Sequence, residues 1–213
     1  MSAVSPRLER FEIRLSGAGG QGVLTLGRVL GEALALGHDY YAAQTQSYGP
    51  EARGGASRAD VVVSSERISY PKAERLDLLV ALSQEACNAY CHALKPGGVL
   101  LVDSELVGQP PISLHLGLPF ARLAAEEIGV KQAMNSVVLG ALTALLPFAD
   151  RDLTRESLRQ ALPAKVVEVN VKAFELGYAK GRAEFGPSPE IWARAEAGAA
   201  ALAEEDTTIL SGE

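Results

Sequence analysis

The sequence predicts an α/β fold: a Rossmann-like, mostly parallel sheet flanked by helices, with an added hairpin and a C-terminal helical extension. Three observations carry this. The alternation Phe11-Glu12-Ile13-Arg14-Leu15 reads as a strand, and a glycine-rich turn leads from it into residues of helical spacing that begin at Val23. Leu76 to Leu82 is a nearly continuous apolar run, the mark of a strand buried on both faces. A helix, a Pro-Gly-Gly break at 96–98 and the strand Val99 to Val102 follow, completing a parallel strand-helix-strand unit.

The totals bound the function class. With 213 residues, 47% hydrophobic and 22% charged, the chain has the material for one substantial core and is not a disordered segment. A net charge of −6 argues against nucleic acid or an anionic membrane surface as principal partner. No apolar run reaches the roughly 18 residues of a membrane span, and Met1 to Arg7 lacks an apolar signal core, so the expected location is the cytoplasm. Residues 1–186 read as the α/β domain. The segment 187–213 reads as an extension with the single tryptophan, Trp192, as an anchor against another subunit.

The glycine turn comes first in the chain. Gly17, Gly19 and Gly22 satisfy G-x-G-x-x-G, the spacing that permits a tight turn, close approach of a ligand to the backbone, and packing of helix on strand. Free amides of the following helix favour an anion there. Three readings stay open: a dinucleotide, a phosphate on another ligand, or a turn that binds nothing. A dinucleotide wants an acid roughly 20 residues on. The second strand, read over Tyr40 to Ala43, ends on Gln44, Thr45 and Gln46, with Asp39 at its start.

Helix one ends near Gly37. Gln44 to Gly55 has no hydrophobic periodicity and carries Gly-Pro and Gly-Gly turn signals, so it reads as a loop covering a ligand or a neighbouring subunit, or as a solvated connection. Arg53, followed by glycines, suits an anionic group through its planar fork. Ser57 to Ser64 and Arg67 to Tyr70 read as the added hairpin. Ser83, at the carboxyl end of a central strand, reads as a ligand contact or as the N-cap of a helix running to Leu94.

An irregular passage from Gly108 allows a short strand over Ile112 to Leu116, and a helix ends at Gly129. Asn135 to Leu146 is apolar on nearly every face and reads as a buried helix, with Asn135 as its N-cap or a ligand contact. Thr154 opens another helix and Lys165 to Arg182 form the last long one. Cys87 and Cys91 read as small buried residues, too few for an iron–sulfur cluster. His38, His92 and His115 complete no motif, so neither a catalytic residue nor a metal ligand is assigned.

Gly17-Ala18-Gly19-Gly20-Gln21-Gly22, followed by Gln46-Ser47-Tyr48-Gly49-Pro50-Glu51-Ala52-Arg53-Gly54-Gly55 and by Asn135 and Gly140, resembles the gamma subunits of 2-oxoacid:ferredoxin oxidoreductases. The resemblance spans residues 11–182. It implies a complex that oxidatively decarboxylates a 2-oxoacid on thiamine diphosphate, passes electrons through iron–sulfur clusters to ferredoxin or NAD, and delivers the acyl group to coenzyme A. Thiamine diphosphate, Mg and the 4Fe-4S clusters are implied to belong to alpha, beta and ferredoxin-like delta partners, and coenzyme A to lie on or near this chain. The residues so implied are Gly17 to Gly22, Gln46, Ser47, Tyr48, Gly54, Gly55 and Asn135, with Arg53 as the foremost anionic contact, supported by Ser47 and Ser83. Two other classes compete: a self-sufficient Rossmann oxidoreductase binding NAD(P) or flavin, and a purely structural subunit.

Overall fold

The computed structural model describes residues 7–37, 40–47, 56–112, 115–188 and 192. Its strands are β1 (Phe11–Gly17), β2 (Tyr41–Ser47), β3 (Ser57–Ser64), β4 (Leu76–Ala81), β5 (Leu94–Asp103) and β6 (Leu116–Leu118). Its helices are α1 (Val23–Glu32), α2 (Gln84–Tyr90), α3 (Phe120–Glu126), α4 (Met134–Leu145), α5 (Arg151–Ala161) and α6 (Ala164–Phe185). The strands form one sheet in the order β2-β3-β1-β4-β5-β6. β1, β4, β5 and β6 run parallel, whereas β3 is antiparallel to both β1 and β2.

The added hairpin exists, but with a different partner from the one the sequence suggests. β3 pairs with β2, Thr45 opposite Asp60 and Ser47 opposite Arg58, while Arg67 to Tyr70 form no strand. The second strand is correspondingly longer than Tyr40 to Ala43. Gln44 to Ser47 belong to it, because the β3 ladder pairs their backbone whatever their polarity. Other boundaries move for local reasons. α5 is capped by Asp150, whose carboxylate accepts from the amides of Asp152 at 2.8 Å and Leu153 at 3.0 Å, so Thr154 lies inside the helix. α2 gives way after Tyr90 to a 3-10 turn, and β5 then starts at Leu94 with an irregularity in its pairing to β4.

Two apolar layers sandwich the sheet. Ile13, Leu15, Val61, Leu78, Val80 and Leu101 face a core that takes in Leu26 and Leu30 of α1, Val137 to Leu145 of α4 and Phe174 of α6. Val62, Leu79, Leu100 and Val102 face the other way, against Cys87 of α2. The helices that follow β1 and β4 therefore leave on opposite faces. The carboxyl ends of those two strands are therefore the topological switch point, the place where open α/β sheets take ligands.

The alternation in β1 does not mark a solvated face. Glu12, Arg14 and Ser16 are 6%, 5% and 0% exposed, so their polar groups must be paired inside. Arg14 makes a bidentate ion pair with Asp60 at 2.7 and 2.8 Å and donates to the Ala73 carbonyl at 3.0 Å. Ser16 donates to the Val80 carbonyl at 2.8 Å. Burial alone would push the Glu12 carboxyl up. The Arg10 guanidinium at 2.6 Å and the amides of Glu74 and Arg75 at 2.7 and 2.9 Å outweigh that and hold it below its ordinary value of 4.5.

A carboxylate held low in the folded chain contributes stability above its unfolded pKa, and that contribution is lost as pH falls through the folded value. Stability should therefore decline below about pH 4.5, and Glu12→Gln, less stable at neutral pH, should show a shallower acid decline in urea denaturation. Parallel acid limbs in the two proteins would remove Glu12 from this role.

The extension begins on its own domain. Trp192 donates from its indole nitrogen to the Leu145 carbonyl at 3.0 Å and meets Phe11 edge-on at 5.3 Å, while the Ser188 hydroxyl donates to the same carbonyl. Trp192 is thus seated, on its inner side, on the carbonyl left over where α4 ends. Residues 193–213, with the expectation that the extension packs on a partner, lie outside the described residues. Among the described residues no helix is long and apolar enough to cross a membrane.

Candidate anion-binding site

The glycine turn is shaped by one side chain. Gln21 folds back so that its Oε1 accepts from the Ala18 amide at 2.6 Å and its Nε2 donates to the Leu82 carbonyl at 3.0 Å, clamping the end of β1 to the end of β4. A side chain at Gly17 would occupy the place of that carboxamide and come within 3.2 Å of Leu82. Gly20 and Gly22 sit at φ +85° and +74°, left-handed backbone that only glycine adopts cheaply.

α1 starts at this turn with no side-chain cap and no acidic residue in its first turn. Its amide dipoles are therefore left facing outward without a built-in counter-charge. A Cβ on Gly19 or Gly20 would meet nothing within 4 Å, so this side of the turn is open.

Asn135 closes the other side. Its Nδ2 donates to the Gln21 carbonyl at 2.7 Å, and a Cβ on Gly22 would collide with it. Because α4 starts at Met134, Asn135 is not its N-cap; the side chain braces the turn and not its own helix. Its Oδ1 is shut off from solvent and has no hydrogen-bond partner, the one such buried side-chain atom among the described residues. A buried acceptor left unpaired costs about 1–3 kcal/mol.

Gly20, Gln21, Gly22 and Asn135 line a concavity of about 540 Å³ together with Lys131, Gln132, Leu106, Ala121 and Met134. Lys131 is the cation that sequence reasoning missed. Nothing in its local pattern separates it from any exposed lysine, and only the fold carries it to the glycine turn. Three sequence-predicted residues stand apart. Ser83 is the N-cap of α2, its Oγ accepting from the Ala86 amide at 3.2 Å. Gln46 and Ser47, at the end of β2, line a different concavity of about 610 Å³ with Arg14, Arg58, Lys72 and His92. There Arg58 and Arg14 stack against the Tyr90 ring at 5.6 and 5.1 Å. Tyr48, Arg53, Gly54 and Gly55 lie outside the described residues.

Among the described residues no group of three or more His, Cys, Asp or Glu could hold a metal ion. Burial, with the neighbouring Cys91, pushes the Cys87 thiol up, which makes it unreactive.

Residues 12–180 match the family described as pyruvate ferredoxin/flavodoxin oxidoreductase. The 2-oxoglutarate synthase subunit KorC of Methanocaldococcus jannaschii is 46% identical over 173 residues, covering 79% of this chain and 92% of its own. The keto/oxoacid ferredoxin oxidoreductase gamma subunit of Geobacter sulfurreducens superposes with a TM-score of 0.76 at 39% identity, over 82% of this chain and 98% of that one. A 2-oxoglutarate:ferredoxin oxidoreductase from Magnetococcus marinus with 2-oxoglutarate, coenzyme A and succinyl-CoA bound shares the fold. It superposes with a TM-score of 0.71 at 24% identity, over 82% of this chain and 31% of that longer one. The match over most of the domain and the likeness in fold together place the chain in the pyruvate ferredoxin/flavodoxin oxidoreductase family, as a gamma subunit of the 2-oxoacid:ferredoxin oxidoreductase type.

Proposed function

We propose that this chain binds coenzyme A for a complex that oxidatively decarboxylates a 2-oxoacid to its acyl-CoA, with the diphosphate of coenzyme A seated at the start of α1. The observation that carries the reading is the convergence of an uncapped helix start, two open glycines and Lys131 in one concavity. The several relatives named 2-oxoglutarate synthase subunits favour 2-oxoglutarate as the oxoacid. Thiamine diphosphate with Mg and the 4Fe-4S clusters, on alpha, beta and delta partners, supply decarboxylation and electron transfer when bound. This chain's part is to hold and orient the thiol carrier.

A nicotinamide or flavin dinucleotide fits less well. It needs an acid on the strand that flanks β1 on the side away from β4, and here that strand is β3, which runs the other way and brings Ser57 and Arg58 to the carboxyl end of β1.

Calorimetric titration of the full-length chain with coenzyme A, NAD and FAD separates the readings. Coenzyme A should bind, pyrophosphate should compete with it, and Lys131→Ala should weaken it about fivefold at low salt. Tighter binding of NAD or FAD would reassign the turn to a dinucleotide, and no binding of any would leave it a structural bend.

A further inference from the structure

The concavity of about 610 Å³ lies on the side of the sheet that α1 does not cover. Arg14 of β1 and Arg58 and Asp60 of β3 stand on the face that carries Val62, whereas α1 packs on the face of Val61. Lys72, Glu74 and His92 complete its lining. We propose that this concavity is a binding site for the carboxylate of a small organic anion, gripped between the guanidinium groups of Arg14 and Arg58. No residue of the glycine turn takes part, so the site is independent of the coenzyme A reading.

A guanidinium carries five N–H groups. Arg14, 5% exposed, directs those of Nε and Nη2 at the Asp60 carboxylate and the Ala73 carbonyl. Its Nη1 has no acceptor among the described residues, yet it is not one of the unpaired atoms shut off from solvent. Its two N–H groups therefore open into the concavity that Arg14 lines. Arg58 stacks on the Tyr90 ring and meets no carboxylate among the described residues. Stacking engages the flat of a guanidinium and leaves its N–H edge for a ligand. Both cations lie within 5.6 Å of the centre of one ring, where like charges repel unless an anion joins them. Asp60 is the partner of Arg14 alone.

The charge of the ligand follows from the same residues. Arg14, Arg58 and Lys72, set against Asp60 and Glu74, leave a single positive charge in a chain whose net charge is −6. One carboxylate balances it, whereas a phosphate dianion would bring in a charge without a partner. A carboxylate also offers two oxygens in one plane, one for each guanidinium. The space is that of a small-molecule site, with room for the body of the ligand behind its charged group.

The test follows the ring protons of His92, which lines the concavity, by NMR of the full-length chain at fixed pH and ionic strength; their loss in His92→Gln identifies them. The probes are succinate, its uncharged diamide succinamide, and inorganic phosphate. Succinate should move the His92 signals with a Kd of about 1 mM or below, phosphate should bind several times more weakly, and succinamide should leave them in place. Arg58→Gln should weaken succinate about tenfold. Arg58→Lys keeps the charge without the fork and should weaken it about threefold, so misfolding of one variant leaves the other. Lys131→Ala, at the glycine turn, should change nothing here. Signals that succinate does not move, that succinamide moves equally, or that respond alike in the unaltered chain and both Arg58 variants overturn the carboxylate site. A succinate response lost in Lys131→Ala overturns it too, by placing the anion at the glycine turn.

Discussion

Gly177→Ala should cost about 3 kcal/mol or more, enough to bring the chain close to unfolding or to leave it insoluble. Helix propensity alone predicts the opposite sign, because alanine is favoured over glycine inside a helix by about 1 kcal/mol. Crowding reverses it. α4 is buried from Ser136 to Leu145 and lies directly on α6, and the two backbones approach so closely that each carries a glycine at the contact. A Cβ on Gly177 would overlap the Val137 carbonyl oxygen and stand 2.7 Å from its carbonyl carbon and 2.9 Å from its Cα. On Gly140 it would overlap the Phe174 carbonyl oxygen and stand 2.6 Å from the Tyr178 amide nitrogen.

These obstacles are main chain, so no side-chain rotation relieves them; the helices must separate, opening the core on both sides. Gly181 is the internal control. Its Cβ would come no closer than 3.1 Å, to Ala141, which a small shift absorbs, so Gly181→Ala should cost about 1 kcal/mol or less. Urea denaturation of the two variants side by side decides the matter, and equal midpoints would show that the α4–α6 crossing does not depend on close approach.

Features that depend on neighbours in the sequence could be read from it. The glycine turn, the buried β4 run and the cap at Ser83 each follow from residues within a few positions of one another. What eluded the sequence was pairing at a distance. Ser57 to Ser64 looks like half of a hairpin with the residues just after it. The stronger partners were β1 and β2, which enclose it on both sides and bury Val61 to Val63 completely.

Asn135 illustrates the same limit at the site. A polar residue opening an apolar helix suggests a cap, but the side chain bonds to a carbonyl 114 positions away. Arg14 and Asp60 lie on two neighbouring strands, and the fold makes them partners across a buried ladder. Period-two alternation reports which side chains share a face, not whether water reaches it.

Gln21→Glu should weaken coenzyme A and pyrophosphate about a hundredfold, a larger effect than removing the side chain altogether. Gln21 uses both ends of its carboxamide, accepting from the Ala18 amide and donating to the Leu82 carbonyl. A carboxylate of the same shape keeps the first bond and turns the second into two acceptors face to face, which costs about 1–3 kcal/mol of stability. Gln21→Ala loses both bonds and should destabilise comparably. The variants part company in binding. The carboxylate places a negative charge beneath the turn where the ligand's phosphate would lie, and at ~5 Å with an effective dielectric of ~20 the repulsion is about 3 kcal/mol. The alanine variant adds no charge and keeps the α1 dipole and Lys131. Titrating both proteins with pyrophosphate at low and moderate salt therefore isolates electrostatics from the shape of the turn. A deficit for the carboxylate variant that shrinks with salt and on acidification follows from an anion seated there. Equal affinities in the two variants would mean that no anion approaches this corner of the sheet.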